Sequence, residues 1–342
     1  MTDDHSLVSI ILPTLNSIKY LEGRVASILD QTHDNYEVLV VDSHSDDGTW
    51  EYMTSIARSD SRFKLLRMAR LGIYPAINFA IERANGGYLY VATSDDVMEN
   101  ECINVMYREL TQHPDCDVCH ARCNAIDSNS RVIPNWWESR HTTKFFGDLF
   151  DEKHIRYAPY DVLIHLSLSM VYYSLTQLLI RHTVIDKAGA FKNDWGPASD
   201  FEWGIRVALN CNIVFTPECL SSWRIHDNQA TTAPDYSQRL EMARAGISNF
   251  ESKYPEIAEK IDWSTILYQY KKGLFKDKIV SIAERKGLNP RTLALGLTTP
   301  RILYDLSLYL LGIRDFKNVS FTIRMLREKL EQLNLTDNIR VI

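Results

Sequence analysis

VSIILPTLNSIKYLEGRVASILDQTHDNYEVLVVDSHSDDGT, residues 8–49, carries the reading of the fold. VSIILP (8–13) is a continuous apolar run closed by Pro13. From Ser17 to Leu29 the apolar residues then recur at helical spacing. YEVLVVD (36–42) is a second apolar run, and it ends on Asp42. Runs of this kind, joined by an amphipathic helix, predict strands buried on both faces.

The alternation continues on the C-terminal side. A helix is expected over Thr49 to Ala57, a strand at FKLLRM (63–68), and a helix from Tyr74 to Ala84 that Gly86-Gly87 closes. GYLYVAT (87–93) follows as a fourth strand, then a helix from Asn100 to Thr111 with Pro114 beyond its end. Together these predict an α/β fold, a mostly parallel sheet flanked by helices. Ligands of such sheets bind beyond the carboxyl ends of the strands. Three of those ends are polar: Thr14 with Asn16, Asp42, and Asp95 with Asp96.

After residue 130 the pattern loosens, with Trp136-Trp137 and Phe145-Phe146 in a loop-rich insertion. Helical spacing returns over Thr183 to Ala190 and Asp200 to Asn210, and from about residue 237 the chain reads as mostly helical. This places an α/β domain, which carries the polar strand ends, at 1–235 and a helical C-terminal region at 236–342. Between Lys271 and Glu331 stand 13 Lys/Arg against 6 Asp/Glu, so the C-terminal region is basic in a chain of net charge -6. TLALGLTTPRILYDLSLYLLGIRDF (292–316) pairs apolar clusters with flanking arginines. It suits an anionic membrane surface. A helical cap or a homodimer contact is the plainer reading.

The 342 residues are 45% hydrophobic and 24% charged, ordinary for a soluble globular chain. The overall acidity gives no pull toward nucleic acid. MTDDHSLVSI lacks the basic and apolar regions of a signal peptide. No uncharged apolar run reaches the roughly 18 residues of a membrane span. Val162 to Ile180 comes nearest and reads as a buried or amphipathic helix. Six cysteines do not make a disulfide scaffold in a chain this long. Cys116, Cys119 and Cys123 lie on an alternating stretch that turns Cys116 away, which argues against zinc shared with His113 or His120. A cytoplasmic protein is expected, with peripheral contact at the inner face of the membrane as an extension.

The chemistry begins at Thr93-Ser94-Asp95-Asp96. Two adjacent carboxylates at the end of an apolar strand need a positive partner, and a divalent cation holding diphosphate oxygens would supply it. An Asp helix cap with a solvated neighbour is the structural alternative. Pro13, Thr14 and Asn16 form a turn that could grip a base and ribose, as could Asp42. Asp47-Gly48-Thr49 reads more simply as a capped turn. Asp200, at the start of an amphipathic helix, is the candidate general base for an acceptor hydroxyl. The alternative is an acid favoured by the helix dipole. Glu202 and Arg206, four residues apart, suit a local pair. His226 could ligate the metal or touch a phosphate, and Arg224 could face an anion.

In this order the segments resemble the family 2 glycosyltransferases of the GT-A fold, over roughly residues 7–230. That family shows P-T-x-N (13–16) and D-x-x-S-x-D-G-T (Asp42, Ser45, Asp47, Gly48, Thr49). G-x-x-x-A-x-N-x-A follows (Gly72, Ala76, Asn78, Ala80), then an acidic metal motif (TSDD, 93–96). A D-x-[DE]-x-x-x-R helix start and an R-x-H element close the site (Asp200, Glu202, Arg206; Arg224, His226). The resemblance implies an inverting transfer from a nucleotide-diphosphate sugar, by default a UDP-sugar, to a hydroxyl of a saccharide or lipid-linked acceptor, in surface polysaccharide or glycoconjugate synthesis. It implies Mn2+ or Mg2+ on Asp96 and His226. Pro13, Thr14, Asn16, Asp42, Gly72, Asn78, Ser94 and Asp95 would then contact the donor. Trp195, Glu202 and Arg224 would contact acceptor or sugar. Trp136, Trp137 and Trp223 could also stack on sugars, although anchoring a core or loop explains each more simply. Two positions depart from the common pattern, Thr93 where many members carry aspartate and Ser199 where many carry glutamate. They keep a non-catalytic sugar-nucleotide-binding protein as the rival reading. An NAD-dependent enzyme would need G-x-G-x-x-G after the first strand, where PTLNSIKY stands.

Overall fold

The computed structural model describes residues 6–168, 170–226, 236–271 and 319–342. The first strands and helices alternate as the sequence patterns require: β1 (Val8–Thr14), α1 (Ile18–Leu29), β2 (Tyr36–Asp42), α2 (Thr49–Ser59), β3 (Phe63–Arg67), α3 (Ile73–Ile81) and β4 (Tyr88–Val91). Every residue of β1, β2 and β4 is buried. Ile10, Leu12, Val38, Val40 and Tyr90 share a core with Leu21, Val25 and Ile28 of α1. Each such aliphatic side chain contributes about 1.5–3 kcal/mol by leaving water.

β3, β2, β1 and β4 are parallel neighbours in that order, with Thr14 level with Asp42 and Asp42 level with Arg67. The remaining strands are β5 (Val97–Met98), β6 (Val118–Ile126), β7 (His154–Arg156), β8 (Leu178–Arg181), β9 (Ile213–Arg224) and β10 (Ile339–Val341). β8 pairs antiparallel with β4 and β6, β9 runs parallel to β6, and β7 lies antiparallel to β9. The expectation of parallel pairing therefore holds for the N-terminal strands, and the sheet as a whole is mixed.

Two close approaches fix the β1 edge. A Cβ on Gly86 would stand 2.6 Å from the Leu7 carbonyl oxygen and 2.7 Å from the Ser9 amide nitrogen, so only glycine fits. Beside it the buried Glu37 accepts hydrogen bonds from Ser9 Oγ (2.7 Å) and the Asn85 amide (2.7 Å), and a charged one from Lys64 Nζ (2.5 Å). Burial alone would raise the Glu37 carboxyl; these donors hold it below the usual carboxylate range.

Further elements of the same unit are α4 (Cys102–Gln112), α5 (Trp136–Ser139), α6 (His141–Phe146), α8 (Val184–Ala188) and α9 (Ser199–Asn210); α7 spans Tyr160–Leu168. By contacts the chain divides into two units. One comprises Met1–Val162, Met170–Pro234 and Asp337–Ile342; the other, Leu163–Ser169 and Asp235–Thr336. The second unit contains α10 (Tyr236–Lys253), α11 (Pro255–Ala258) and α12 (Val319–Gln332). In α10, Met242, Ala243, Ile247 and Phe250 are buried at helical spacing. The C-terminal residues are not all helical, because β10 returns to the sheet against β7. The apolar stretch 292–316, with its flanking arginines, lies outside the described residues. Among those described, no helix is long and apolar enough to cross a membrane.

Candidate active site

The chemistry gathers at the carboxyl ends of the parallel strands. The loop after β2 is knitted to the loop after β1. Asp47 accepts from the backbone amides of Ile18 (3.1 Å) and Thr49 (3.0 Å), and Thr49 Oγ1 accepts from the Ser17 amide (2.9 Å). Gly48 takes φ +98°, a left-handed value that suits glycine. The D-G-T segment thus caps and ties two turns.

Asn16, exposed and at φ +50°, trades hydrogen bonds with Asp46: its Nδ2 donates at 2.9 Å and its Oδ1 accepts from the Asp46 amide at 3.0 Å. Pro13 and Thr14 are buried at the end of β1. Asp42 is 1% exposed, and both its oxygens are engaged. Thr14 Oγ1 (3.2 Å) and Ser45 Oγ (2.5 Å) donate to one oxygen; the Ser45 amide (3.1 Å) and Arg67 Nε (3.3 Å) donate to the other.

The two acids of the TSDD turn are treated differently. Asp96 is 1% exposed. Its Oδ1 accepts from the Arg224 amide (2.8 Å), and its Oδ2 from Thr93 Oγ1 (2.5 Å) and Ser174 Oγ (3.1 Å). Burial, with the charge of Asp95 beside it, pushes the Asp96 carboxyl up to about 7. Asp95 instead keeps 30% of its side chain exposed and meets His226 Nε2 at 2.9 Å. Protein donors enclose the carboxylate of Asp96, the acid expected to hold a metal, while the more open Asp95 pairs with His226, the other expected ligand. Ser94 Oγ donates to Ser17 Oγ (2.8 Å), tying this turn to the loop after β1.

Arg224, expected to face an anion, supports the turn. Its Nε donates to the Asp95 carbonyl (2.7 Å) and its Nη1 to the Asp127 carbonyl (3.0 Å) and Ser130 Oγ (2.9 Å). Arg24 of α1 is fully buried. Its Nη2 donates to Thr176 Oγ1 at 3.4 Å, and its Nε and Nη1 have no partner among the described residues.

Asp200 lies in the first turn of α9, where helix amides favour a carboxylate, and its Oδ1 accepts from the Phe201 amide (2.7 Å). Tyr74, at the start of α3, donates to the Pro197 carbonyl at 3.1 Å, just before α9. Burial, with the charge of Asp200, pushes the Tyr74 hydroxyl's ionisation up. Because α3 starts just beyond β3, the Tyr74–Pro197 bond ties the segment before α9 to that end of the sheet.

Asn78 is spent on structure. Its Nδ2 donates to the Phe191 carbonyl (2.7 Å) and its Oδ1 accepts from the Phe191 amide (3.0 Å), which fastens α3 to the segment leading into α9. Gly72, at φ +106°, starts that helix, and a Cβ there would lie 3.7 Å from Asn193 Oδ1. Glu202 pairs with Arg206 (2.8 Å) and Lys192 (3.1 Å), the local pairing its spacing suggested. Trp195 is partly buried, and its indole Nε1 has no hydrogen-bond partner among the described residues. Trp136 and Trp137 are buried; Trp136 packs on Trp223 (5.5 Å) and Tyr173 (5.2 Å).

The sequence reading missed Tyr74 and Ser174. Ser174 caps a short helical turn with Gln177, and S-x-x-Q was the available signal. Tyr74 carried none, since an aromatic at an apolar position reads as core.

Parallel strands ending in a buried Asp42, an accessible Asp95–His226 pair and an α9 carboxylate define a protein of the GT-A type. Residues 9–167, just under half of the chain, match the family model described as Glycosyl transferase family 2. Glycosyltransferase GlyG of Streptococcus pneumoniae is 34% identical over 113 residues, covering 33% of this chain and 37% of GlyG. An uncharacterized glycosyltransferase of Haemophilus influenzae is 22% identical over 98% of this chain and 95% of its own length. S. aureus TarS 1–349 in complex with UDP-GlcNAc shares the fold, with a TM-score of 0.63, 16% identity and coverage of 96% of this chain and 89% of that one.

Proposed function

We propose that this chain is a metal-assisted, inverting glycosyltransferase that moves a sugar from a nucleoside-diphosphate donor, by default a UDP-sugar, to a hydroxyl of a saccharide or lipid-linked acceptor. The observation that carries the reading is the partly open Asp95–His226 pair just beyond β4; Asp200, in the first turn of α9, supplies the further carboxylate. The default to UDP rests on family habit and on the UDP-GlcNAc held by TarS. Surface polysaccharide synthesis is the context we favour.

A hard carboxylate oxygen and an imidazole nitrogen suit Mn2+, and among the described residues no third His, Cys, Asp or Glu completes the set. Asp95 and His226 would hold the cation, leaving positions for diphosphate oxygens and water. When bound, it would offset the charge that builds on the leaving diphosphate. Asp96, Arg224 and Ser174 fix the turn that presents Asp95. Asp200 takes the proton of the acceptor hydroxyl as its oxygen attacks the anomeric carbon opposite the departing diphosphate. One displacement inverts the anomeric centre. Trp195, with an unspent indole N–H close in sequence to Asp200, is our candidate acceptor contact.

The reading is tested by thermal shift with UDP, GDP and dTDP, each with and without Mn2+. A ligand that binds only the native state raises the midpoint. One diphosphate is expected to raise it, and only with the metal. No shift for any diphosphate would remove the donor assignment. Asp200→Asn is expected to keep that shift and lose sugar transfer; wild-type transfer by this variant would release Asp200 from its role.

A further inference from the structure

One face of α1 meets the turn that carries Asp95. Hydrogen bonds from the Ser17 and Ile18 amides to Thr49 and Asp47 fix the start of the helix. Ser17 Oγ accepts from Ser94 Oγ at 2.8 Å. Tyr20, three residues on, and Arg24, four further, lie on the same side of the helix. Arg24 reaches Thr176, in the turn whose Ser174 donates to Asp96. Tyr20 is half-buried, and two side chains of the site stand against its ring. The Arg224 guanidinium carbon lies 4.6 Å from the ring centroid. The His226 imidazole lies 5.2 Å from it, at an interplanar angle of 45°. Arg224 in turn holds the Asp95 carbonyl (2.7 Å), and His226 the Asp95 carboxylate (2.9 Å).

We propose that Tyr20 is a positioning residue for the metal pair, its ring the support against which the His226 imidazole and the Arg224 guanidinium rest. This role rests on the reading above, in which Asp95 and His226 hold the cation. A guanidinium is attracted to the face of an aromatic ring, and tilted ring pairs at this spacing pack favourably. The hydrogen bond to Asp95 fixes one atom of the imidazole, Nε2, and leaves the ring free to turn about that bond. Packing on Tyr20 removes that freedom. Nε2 is also the atom that would take a cation. Its hydrogen bond to Asp95 then ends, while the Tyr20 contact, made by the ring and not through Nε2, persists. Groups that orient a metal ligand in this way raise the affinity of the site without touching the metal. Leucine at position 20 would keep apolar bulk but has no aromatic face for either group.

The test compares Tyr20→Leu and Tyr20→Phe with the wild-type full chain by two readouts, neither of them turnover. Mn2+ affinity, alone and with UDP or GDP present, is measured by electron paramagnetic resonance of the free ion. Order of the His226 ring is measured in the metal-free protein by carbon-13 relaxation, with His226→Gln to assign the signal. Tyr20→Leu is expected to weaken Mn2+ binding about 10-fold to 100-fold and to lower the ring order. Tyr20→Phe, which keeps the ring and deletes the hydroxyl, is expected to match wild type in both. Wild-type Mn2+ affinity in Tyr20→Leu overturns the role, and so does a loss in Tyr20→Phe as large as that in Tyr20→Leu. If the wild-type chain takes no Mn2+, the metal assignment falls and ring order alone decides: a drop confined to Tyr20→Leu upholds the support by Tyr20, and no drop overturns it. If Tyr20→Leu does not fold, fluorine NMR of the chain labelled with 3-fluorotyrosine decides, with Tyr20→Phe to assign the signal. Bound Mn2+ is expected to broaden the signal of position 20 beyond detection; a sharp signal in the Mn2+-loaded chain overturns the role.

Discussion

Asp95 and Asp96 are neighbours in sequence with opposite settings. Asp95 is partly open and paired with His226, whereas Asp96 is closed in by a backbone amide and two hydroxyls. Asp95→Asn should therefore abolish metal-dependent donor binding in calorimetry while leaving the thermal midpoint close to wild type. Asp96→Ala should destabilise the fold by roughly 3 kcal/mol, because it strands buried donors, with the loss read by chemical denaturation. Equal stability of the two variants would show that the turn does not depend on Asp96. The sequence showed that this turn is acidic and ends a buried strand. It could not show which acid faces out, because that depends on Arg224 and Ser174, both distant along the chain. Asp42 and Asn78 teach the same lesson: the motif locates them, but their oxygens and nitrogens are taken up by Ser45, Arg67 and Phe191.

The N-terminal elements were legible because each is long and periodic. The helix expected from Ser17 to Leu29 is found as Ile18–Leu29, and the apolar runs at 8–13 and 36–42 lie in β1 and β2. The strands β7 and β8 were not legible. They are three and four residues long, and pairing with distant strands fixes them. Val162 to Ile180, read as a buried helix or amphipathic segment, includes most of α7, a capped turn at Ser174 and most of β8. Between β1, β2 and β3, Glu37 supplies a pH-dependent fastening. Its folded carboxyl lies below the unfolded range, so the stability it adds is full above about pH 4.3 and is lost as pH falls through the lower folded value. Glu37→Gln should lower stability by about 1–2 kcal/mol at neutral pH. Thermal melts against pH should show the two proteins converging in acid; a constant gap would place the effect in packing.

For the whole molecule, the chain leaves one unit after Pro234 and returns to it at Asp337, ending as β10 against β7. Removing residues 336–342 takes away that pairing and leaves β7 as an open edge, a template for contact with other chains. Such a truncation should unfold more readily by roughly 1–2 kcal/mol and associate at high concentration, both visible by melting and light scattering; a monomer as stable as the full chain would mean that β10 adds nothing.

The same return has a consequence for proteolysis. A cut anywhere between Asp235 and Thr336 makes two peptides, yet each unit draws on both, since Leu163–Ser169 belongs with the helical unit and Asp337–Ile342 with the sheet. The nicked protein should run as two bands under denaturing electrophoresis and elute as one species from a native column.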